Sequence, residues 1–297
     1  MIKDYLGAMF EPTLLFGICA SLIGISAALY YSHLNLQLAA LVVIGVVFAQ
    51  MAVNMVDDYT DFRRGIDSET VKTKFSGGSN VLTDGKMKPK ELLGLGIAAS
   101  IAAGVIGAFL LGSAPAILPI IAIGGISIFL YAAFLVRIPF LAEPLTALNF
   151  ALIPLGSYIV AYGSTANIGS VLFAMVPAGM MVGIALIANS LPDKVADRRH
   201  GRRNAVIMLD KNGRVAFYYL LWWAVAWLLV IAGMLIGFLP FTFVITLVTV
   251  PFALMVYRGI KIYKTPASHE KFMGINALST IGFIFLCSVS YFVAVII

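Results

Sequence analysis

The sequence predicts an all-α integral membrane protein with nine transmembrane helices, and three observations carry that prediction. Of its 297 residues 61% are apolar and 11% are charged, with a mean hydropathy of +0.99, whereas an ordinary soluble domain carries about 25% charged residues. Asp, Glu, Lys and Arg are absent from five long runs, 12–56, 92–136, 144–192, 215–257 and 272–297. These runs are continuously apolar, which excludes the alternating segments of about ten residues that build an outer-membrane barrel.

Each of the first four runs is 43 to 49 residues long, room for two spans of about 20 residues and a turn. The last, at 26 residues, fits one span. Turn residues divide the long runs at Ser32 to Asn35, Gly112 to Pro115, Gly163 to Asn167 and Gly237 to Pro240. The expected spans are therefore 12–31, 36–56, 92–111, 116–136, 144–162, 168–190, 215–236, 241–257 and 273–296. All 20 Lys and Arg fall in the N-terminus and in the loops after spans 2, 4, 6 and 8. The positive-inside rule makes that face cytoplasmic and puts the C-terminus outside. The net charge of +6 then reads as orientation in the bilayer rather than as a nucleic-acid footprint. Cys19 and Cys287 lie inside spans, so no disulfide framework is expected. No cleavable signal peptide is expected either, since the acidic and aromatic segment Lys3 to Pro12 leads straight into a hairpin.

A single transmembrane domain over residues 1–297 is expected, with two longer cytoplasmic loops, 57–91 and 193–214, capping its acidic motifs. The first loop has room for a small lid helix near Lys88 to Leu93, and Ser76-Gly77-Gly78-Ser79 would give it tight-turn backbone. The acidic residues also gather on the basic face, which the orientation rule does not require.

Two motifs concentrate them. In the first, from Asn54 to Asp67, Asn54, Asp58 and Asp61 are spaced i, i+4, i+7 and share one face of a continuing helix, with Asp57 at its margin. In the second, Asn189, Asp193 and Asp197 are spaced i, i+4, i+8, with Pro192 expected to kink or end the helix. Four spans separate the copies, so both reach the same end of the bundle. Carboxylates this close repel unless a cation lies between them, and hard oxygen donors suit Mg²⁺, which takes one or two carboxylates together with waters and phosphate oxygens. Basic residues interleave: Arg63, Arg64, Lys72 and Lys74 after the first motif, and Lys194, Arg198, Arg199, Arg202 and Arg203 around the second. Carboxylates holding Mg²⁺ and flanked by Arg and Lys would bind a diphosphate, and a long isoprenoid tail could lie between helices. A single acidic pair at a span end would read as solvated loop; two Asn-headed pairs at matching places argue for a site.

These residues resemble the UbiA superfamily of intramembrane prenyltransferases, and within it the branch that prenylates 1,4-dihydroxy-2-naphthoate in menaquinone biosynthesis. The resemblance rests on Asn54, Asp58, Tyr59, Asp61, Gly65 and Asp67, on Ser76 to Gly85, on Arg137-Ile138-Pro139 to Glu143 with Phe150, Gly156, Tyr158 and Gly163, and on Asn189, Asp193, Asp197, Arg198 and Gly201. It implies a UbiA-type helical bundle with a cytoplasmic-side active-site mouth. It also implies Mg²⁺-dependent transfer of a polyprenyl group from an allylic diphosphate to an aromatic acceptor. In that reading two Mg²⁺ ions would be held by Asp58, Asp61 and Asp67 on one side and Asn189, Asp193 and Asp197 on the other. Asn54, Asn189, Arg63, Lys74, Arg137 and Arg198 would contact the diphosphate. Tyr131 would stabilise the allylic cation through its ring, and the loop at 68–90 could close over the site. The chain departs from the family pattern at Asp57, commonly Asn, at Pro192, and at Glu11, where members often carry a basic residue. No protein partner is implied. Two other readings stay open at this level: a UbiA-type enzyme with another acceptor, such as a glyceryl phosphate lipid, homogentisate or a tetrapyrrole, and a cation-coupled transporter, whose sites tend to sit at the midplane on broken helices.

Overall fold

The computed structural model describes residues 8, 9, 11–71, 73 and 78–297. Within them the chain is helical, with no strand. In order the helices are α1 (Leu14–Tyr30), α2 (Leu36–Arg64), α3 (Ile66–Glu69), α4 (Pro89–Ser113), α5 (Leu118–Ala133), α6 (Ala142–Tyr162), α7 (Ile168–Asn189), α8 (Lys194–Arg199), α9 (Ala205–Leu209), α10 (Asn212–Ile236), α11 (Val250–Lys261) and α12 (Pro266–Ile296). Seven of the described helical segments are long and apolar enough to cross a membrane, counting the 3₁₀ stretch Phe241–Thr249 together with α11. Two shorter apolar helices, α1 and the segment Pro115–Tyr131, lie at the places of the first and fourth expected spans. At 17 residues α1 is about 25 Å long at 1.5 Å per residue.

Helix boundaries follow local chemistry. Asn35 caps α2, its side chain accepting from Leu38 N at 3.1 Å, and Thr265 and Ser268 form a capping box at the start of α12. Pro115, Pro89 and Pro266 occupy first-turn positions where no amide hydrogen is needed. The most enclosed helix is α7, whose small and flexible residues, among them Ala174, Ala178, Met181, Ala185 and Ala188, are buried. It packs against α6, α10, α12 and α1, so its C-terminal end is held in the middle of the bundle. Small residues let backbones approach where lipid offers no hydrophobic drive for helix association.

Two expectations change. The first charged loop begins at Gly65, because α2 runs through the first acidic motif to Arg64. Residues Lys88 to Leu93 form no separate lid helix: Lys88 is the N-cap and Pro89 the first residue of the spanning helix α4. The short helix in this loop is α3 instead. The helix break expected at Pro192 is present: α7 ends at Asn189, three residues before Pro192, and α8 restarts after Asp193, so the second motif straddles a turn.

Candidate active site

Continuing α2 past the apolar run places Asn54, Asp57, Asp58 and Asp61 on one helix. Gly65 stops it in a left-handed conformation, φ +78°, with its N–H bonded to the Asp61 and Phe62 carbonyls. Arg63 and Arg64 in the last turn complement the helix dipole. At the other end of the motif Gln50 donates to Asn54 Oδ1 at 3.1 Å, and Asn54 donates to Thr13 Oγ1 at 2.7 Å, joining α2 to the start of α1.

The connecting loop folds back over this helix. Val81, Leu82 and Met87 are buried with Met51, Met55 and Leu92 in a small core of their own. That packing brings Ser79 to Asp58, whose Oδ2 accepts the Ser79 N–H at 3.1 Å and the Ser79 hydroxyl as well.

The second motif reaches the same place from the opposite wall. Asp197, 2% exposed, accepts from Arg202 Nη1 at 3.3 Å and from Asn204 Nδ2 at 3.4 Å, while Arg202 Nη2 donates to Asp61 Oδ2. One guanidinium therefore joins the two motifs. The loop that carries it is docked by backbone bonds from Arg203 N to Val136 O at 2.9 Å and from Phe140 N to Arg203 O at 3.0 Å. Glu143, fully buried at the start of α6, accepts from Ala205 N at 2.8 Å.

Several oxygens in this cluster are buried without a hydrogen-bond partner among the described residues: Oδ1 of Asp57, Asp61, Asn189 and Asp193, and Oε1 of Glu11. Burial, with Asp197 beside it, pushes the Asp193 carboxyl up to about 8. Burial, together with Asp58 and Asp57, does the same for Glu11. The Asp197 carboxyl is also raised by burial, against the pull of Arg202. Such groups favour the neutral form unless positive charge compensates them. Asp67, on α3, belongs to the cluster as a charged neighbour of Asp57 and Asp193.

The donors are oxygens only. Among the described residues no three His, Cys, Asp or Glu side chains converge to enclose an ion by themselves. That arrangement fits Mg²⁺, which is seldom caged by protein alone and completes its octahedron with water and phosphate oxygens.

Beside the cluster an apolar cavity of about 450 Å³ opens between α1, α2, α4, α5, α6 and α7. Val46, Ile106, Ile121 and Ile153 form part of its wall, and Leu110, Ile117 and Val160 lie toward the charge-free end of the bundle. Its charged end is bounded by Thr13, Gln50, Tyr131 and Asn189. The Tyr131 hydroxyl accepts from Thr146 Oγ1 at 3.3 Å, and Asp57 and Arg202 are among its charged neighbours.

The basic residues are less uniform than the spacing suggests. Arg63 and Arg137 are exposed, and Arg137 is a charged neighbour of Arg64. Arg198 pairs with Asp210 at 2.6 Å and bonds the Ile207 carbonyl. Lys74 lies outside the described residues. Arg202 instead points inward. Sequence alone did not single it out, because five Lys and Arg residues crowd positions 194–203 and nothing in their spacing marks the inward one.

Residues 15–289 match the model of the UbiA prenyltransferase family. The chain belongs to that family. It is thus a prenyltransferase and an integral membrane protein. Over 296 residues, 97% of this chain and 89% of the relative, it is 27% identical to 1,4-dihydroxy-2-naphthoate octaprenyltransferase of Bacillus subtilis strain 168. The fold of a UbiA homolog from Aeropyrum pernix K1, solved without ligand, superposes with a TM-score of 0.70 at 21% identity, covering 92% of this chain and 96% of that one. A UbiA homolog from Archaeoglobus fulgidus bound to DMAPP and Mg²⁺ gives a TM-score of 0.58 at 15% identity, over 96% of this chain and 99% of that one.

Proposed function

We propose that this prenyltransferase moves a polyprenyl group from an allylic polyprenyl diphosphate to an aromatic acceptor of the dihydroxynaphthoate type, with Mg²⁺ as its cofactor.

 Two ions are expected, one at each motif. The observation that carries this reading is the sharing of Tyr131 and Asn189 between the apolar cavity and the acidic cluster: a substrate with a hydrocarbon tail and a strongly charged head would find both environments at one mouth. The relative from Bacillus subtilis supports the choice of acceptor by its name, and the Archaeoglobus fulgidus homolog supports an allylic diphosphate with Mg²⁺.

In this reading Asp58, Asp61 and Asp67 from the first motif and Asn189, Asp193 and Asp197 from the second hold the ions. When bound, Mg²⁺ offsets the charge of the diphosphate and the negative charge that grows on it as it leaves. The chain's own residues do the rest. The cavity wall takes the tail out of water, and Asn54 and Asn189 orient the head from two helices. The allylic C–O bond breaks with its electron pair leaving on the diphosphate, a ring carbon of the acceptor forms the new C–C bond to the allylic carbon, and the proton displaced from that ring carbon passes to an oxygen of the departing diphosphate, which restores the aromatic ring. Tyr131 presents its ring at the junction, where it favours the allylic cation over the neutral donor. Ser79, bonded to Asp58, holds the 78–88 loop over the mouth and limits access of water.

The charged end of the bundle is cytoplasmic in this proposal, with the N-terminus on that side and the C-terminus outside. Reporters fused after residues 75, 140, 205 and 265 should then read cytoplasmic, and those after 34, 113, 166, 239 and 297 external; two or more reversals reject the orientation. The activity is tested by incubating purified protein with Mg²⁺, a panel of prenyl diphosphates and several aromatic acceptors, followed by mass analysis of lipid-soluble products. Prenylated dihydroxynaphthoate is the expected product, and transfer to a different acceptor alone overturns the choice made here.

A further inference from the structure

Seven carboxylates, those of Glu11, Asp57, Asp58, Asp61, Asp67, Asp193 and Asp197, influence one another at the mouth. Arg202 is the charged neighbour common to Asp57, Asp61, Asp193 and Asp197. Its side chain is 19% exposed and its two terminal nitrogens divide between the motifs, Nη2 to Asp61 Oδ2 and Nη1 to Asp197 Oδ1 at 3.3 Å. Its own position is set by a backbone bond from Arg202 N to Asp197 O at 3.0 Å and by the docked strand of loop at Arg203. Asn204 takes the remaining Asp197 oxygen at 3.4 Å. On Asp61, by contrast, Oδ1 is buried with no hydrogen-bond partner among the described residues, as are Oδ1 of Asn189 and Oδ1 of Asp193.

The oxygens thus fall into two sets, one engaged by Arg202 and Asn204, the other open to a cation. We propose that Arg202 is a positioning residue that competes with divalent cations for Asp61 and Asp197, and so makes tight metal binding depend on the diphosphate. This inference rests on the metal-and-diphosphate reading above. A guanidinium already offsets part of the negative charge of both motifs, so a cation arriving alone gains less from these carboxylates than it would without Arg202. A diphosphate reverses the balance. It brings its own oxygens for the ion, and Arg202 can turn one or both nitrogens from a carboxylate to a phosphate oxygen, a geometry suited to its planar fork. Binding of the two ligands is then coupled, and the coupling is reciprocal.

The consequence has a sign that a mere brace would not give. Removing a brace weakens the site for every ligand. Removing a competing charge strengthens the metal alone and weakens the diphosphate.

The test uses the purified full chain in detergent, with Mn²⁺ as the spectroscopic probe, its binding followed by electron paramagnetic resonance with and without inorganic diphosphate. In the parent, diphosphate should tighten Mn²⁺ binding by about tenfold or more. In Arg202→Gln, Mn²⁺ alone should bind about tenfold tighter than in the parent, and the added effect of diphosphate should shrink to about threefold or less. Arg202→Lys keeps the charge but offers one ammonium for two carboxylates, and should tighten Mn²⁺ alone by about threefold. It carries the test should the Gln variant fail to elute as a single species. Mn²⁺ binding no tighter than the parent in whichever variant is folded overturns the role of Arg202. Absence of Mn²⁺ binding to the parent even with diphosphate is a different failure, and removes the metal reading on which the inference stands.

Discussion

Ser79 holds Asp58 through two hydrogen bonds to one carboxylate oxygen, one from its backbone N–H at 3.1 Å and one from its hydroxyl. The contact ties the 78–88 loop to α2 at the acidic motif. Gly78 makes it possible in two ways: its backbone is left-handed, φ +65°, and a Cβ there would lie 2.5 Å from Asp58 Oδ1. An alanine would meet both the backbone penalty and the steric one.

Gly78→Ala should therefore displace Asp58 or the loop and lower turnover by about 10²-fold, the scale of a misplaced reacting group. Thermal stability should fall little, because the loop's buried Val81, Leu82 and Met87 remain in their core. Steady-state kinetics with a prenyl diphosphate and melting in detergent check the two halves. Turnover within about threefold of the parent would show that the loop's tie to Asp58 has no part in the reaction.

Charge at the mouth should also be visible without any substrate. The Asp193 carboxyl rises from 3.8 to about 8 through burial and Asp197, and Glu11 from 4.5 to about 8 through burial, Asp58 and Asp57. Both folded-state values lie above the unfolded ones, so between roughly pH 4 and pH 8 the folded chain binds more protons and stability falls as pH rises. In EDTA the melting temperature should drop across that window, and Mg²⁺ with inorganic diphosphate should flatten the drop. Asp193→Asn removes one of the two groups, so its melting curve should vary less with pH, while its turnover should fall by about 10²-fold or more. A pH dependence equal to the parent's in Asp193→Asn would mean that this carboxyl is not the titrating group.

In the proposed reading the cavity holds the tail and sets a limit on its length. Gly124 and Gly125 on α5 both line it, and a Cβ on either meets nothing within 4 Å, so a larger side chain has space to grow without disturbing the backbone. Gly125→Phe should shift the preferred donor toward shorter prenyl diphosphates, raising KM for the longest accepted tail by about tenfold, equivalent to about 1.4 kcal/mol. Short donors such as dimethylallyl diphosphate should react at near-parental rates. Equal losses for short and long tails would place the aromatic ring outside the path of the tail.

How much of this was legible in the sequence follows from what fixes each feature. Bilayer thickness and the exclusion of charge fix the spans, and those constraints are written directly in the five uncharged runs. Helical spacing places Asn54, Asp58 and Asp61 together, and α2 obeys it. The Asn189-to-Asp197 spacing also brings its residues together, across the break that Pro192 announces. Arg202 was not legible. Its direction depends on the turn after α8 at Gly201 and on the backbone bonds from Phe140 and to Val136, contacts between segments more than 60 residues apart. The roles of Ser79 and Glu143 are of the same kind: each bonds to a distant segment, to Asp58 and to Ala205 N respectively.

In the proposed reading Glu11 decides how an acidic acceptor is tolerated. Its Oε1 is buried without a hydrogen-bond partner among the described residues, and Asp57 and Asp58 are its charged neighbours. An ionised Glu11 would repel the carboxylate of a dihydroxynaphthoate; a protonated one can donate a hydrogen bond to it. With its pKa raised to about 8, chiefly by burial, Glu11 is protonated at pH 7 and ionises as the pH passes 8. KM for 1,4-dihydroxy-2-naphthoate should therefore rise above pH 8 by about tenfold per unit once ionisation is complete, while KM for an analogue without the carboxylate should stay level. Glu11→Gln keeps a donor that cannot ionise, so its KM for the acid should match the parent's at pH 7 and stay flat to pH 9. A rise of equal size in Glu11→Gln would assign the effect to another group. A neutral analogue prenylated about tenfold faster than the acid at pH 7, about 1.4 kcal/mol in the barrier, would instead show that the natural acceptor lacks the carboxylate.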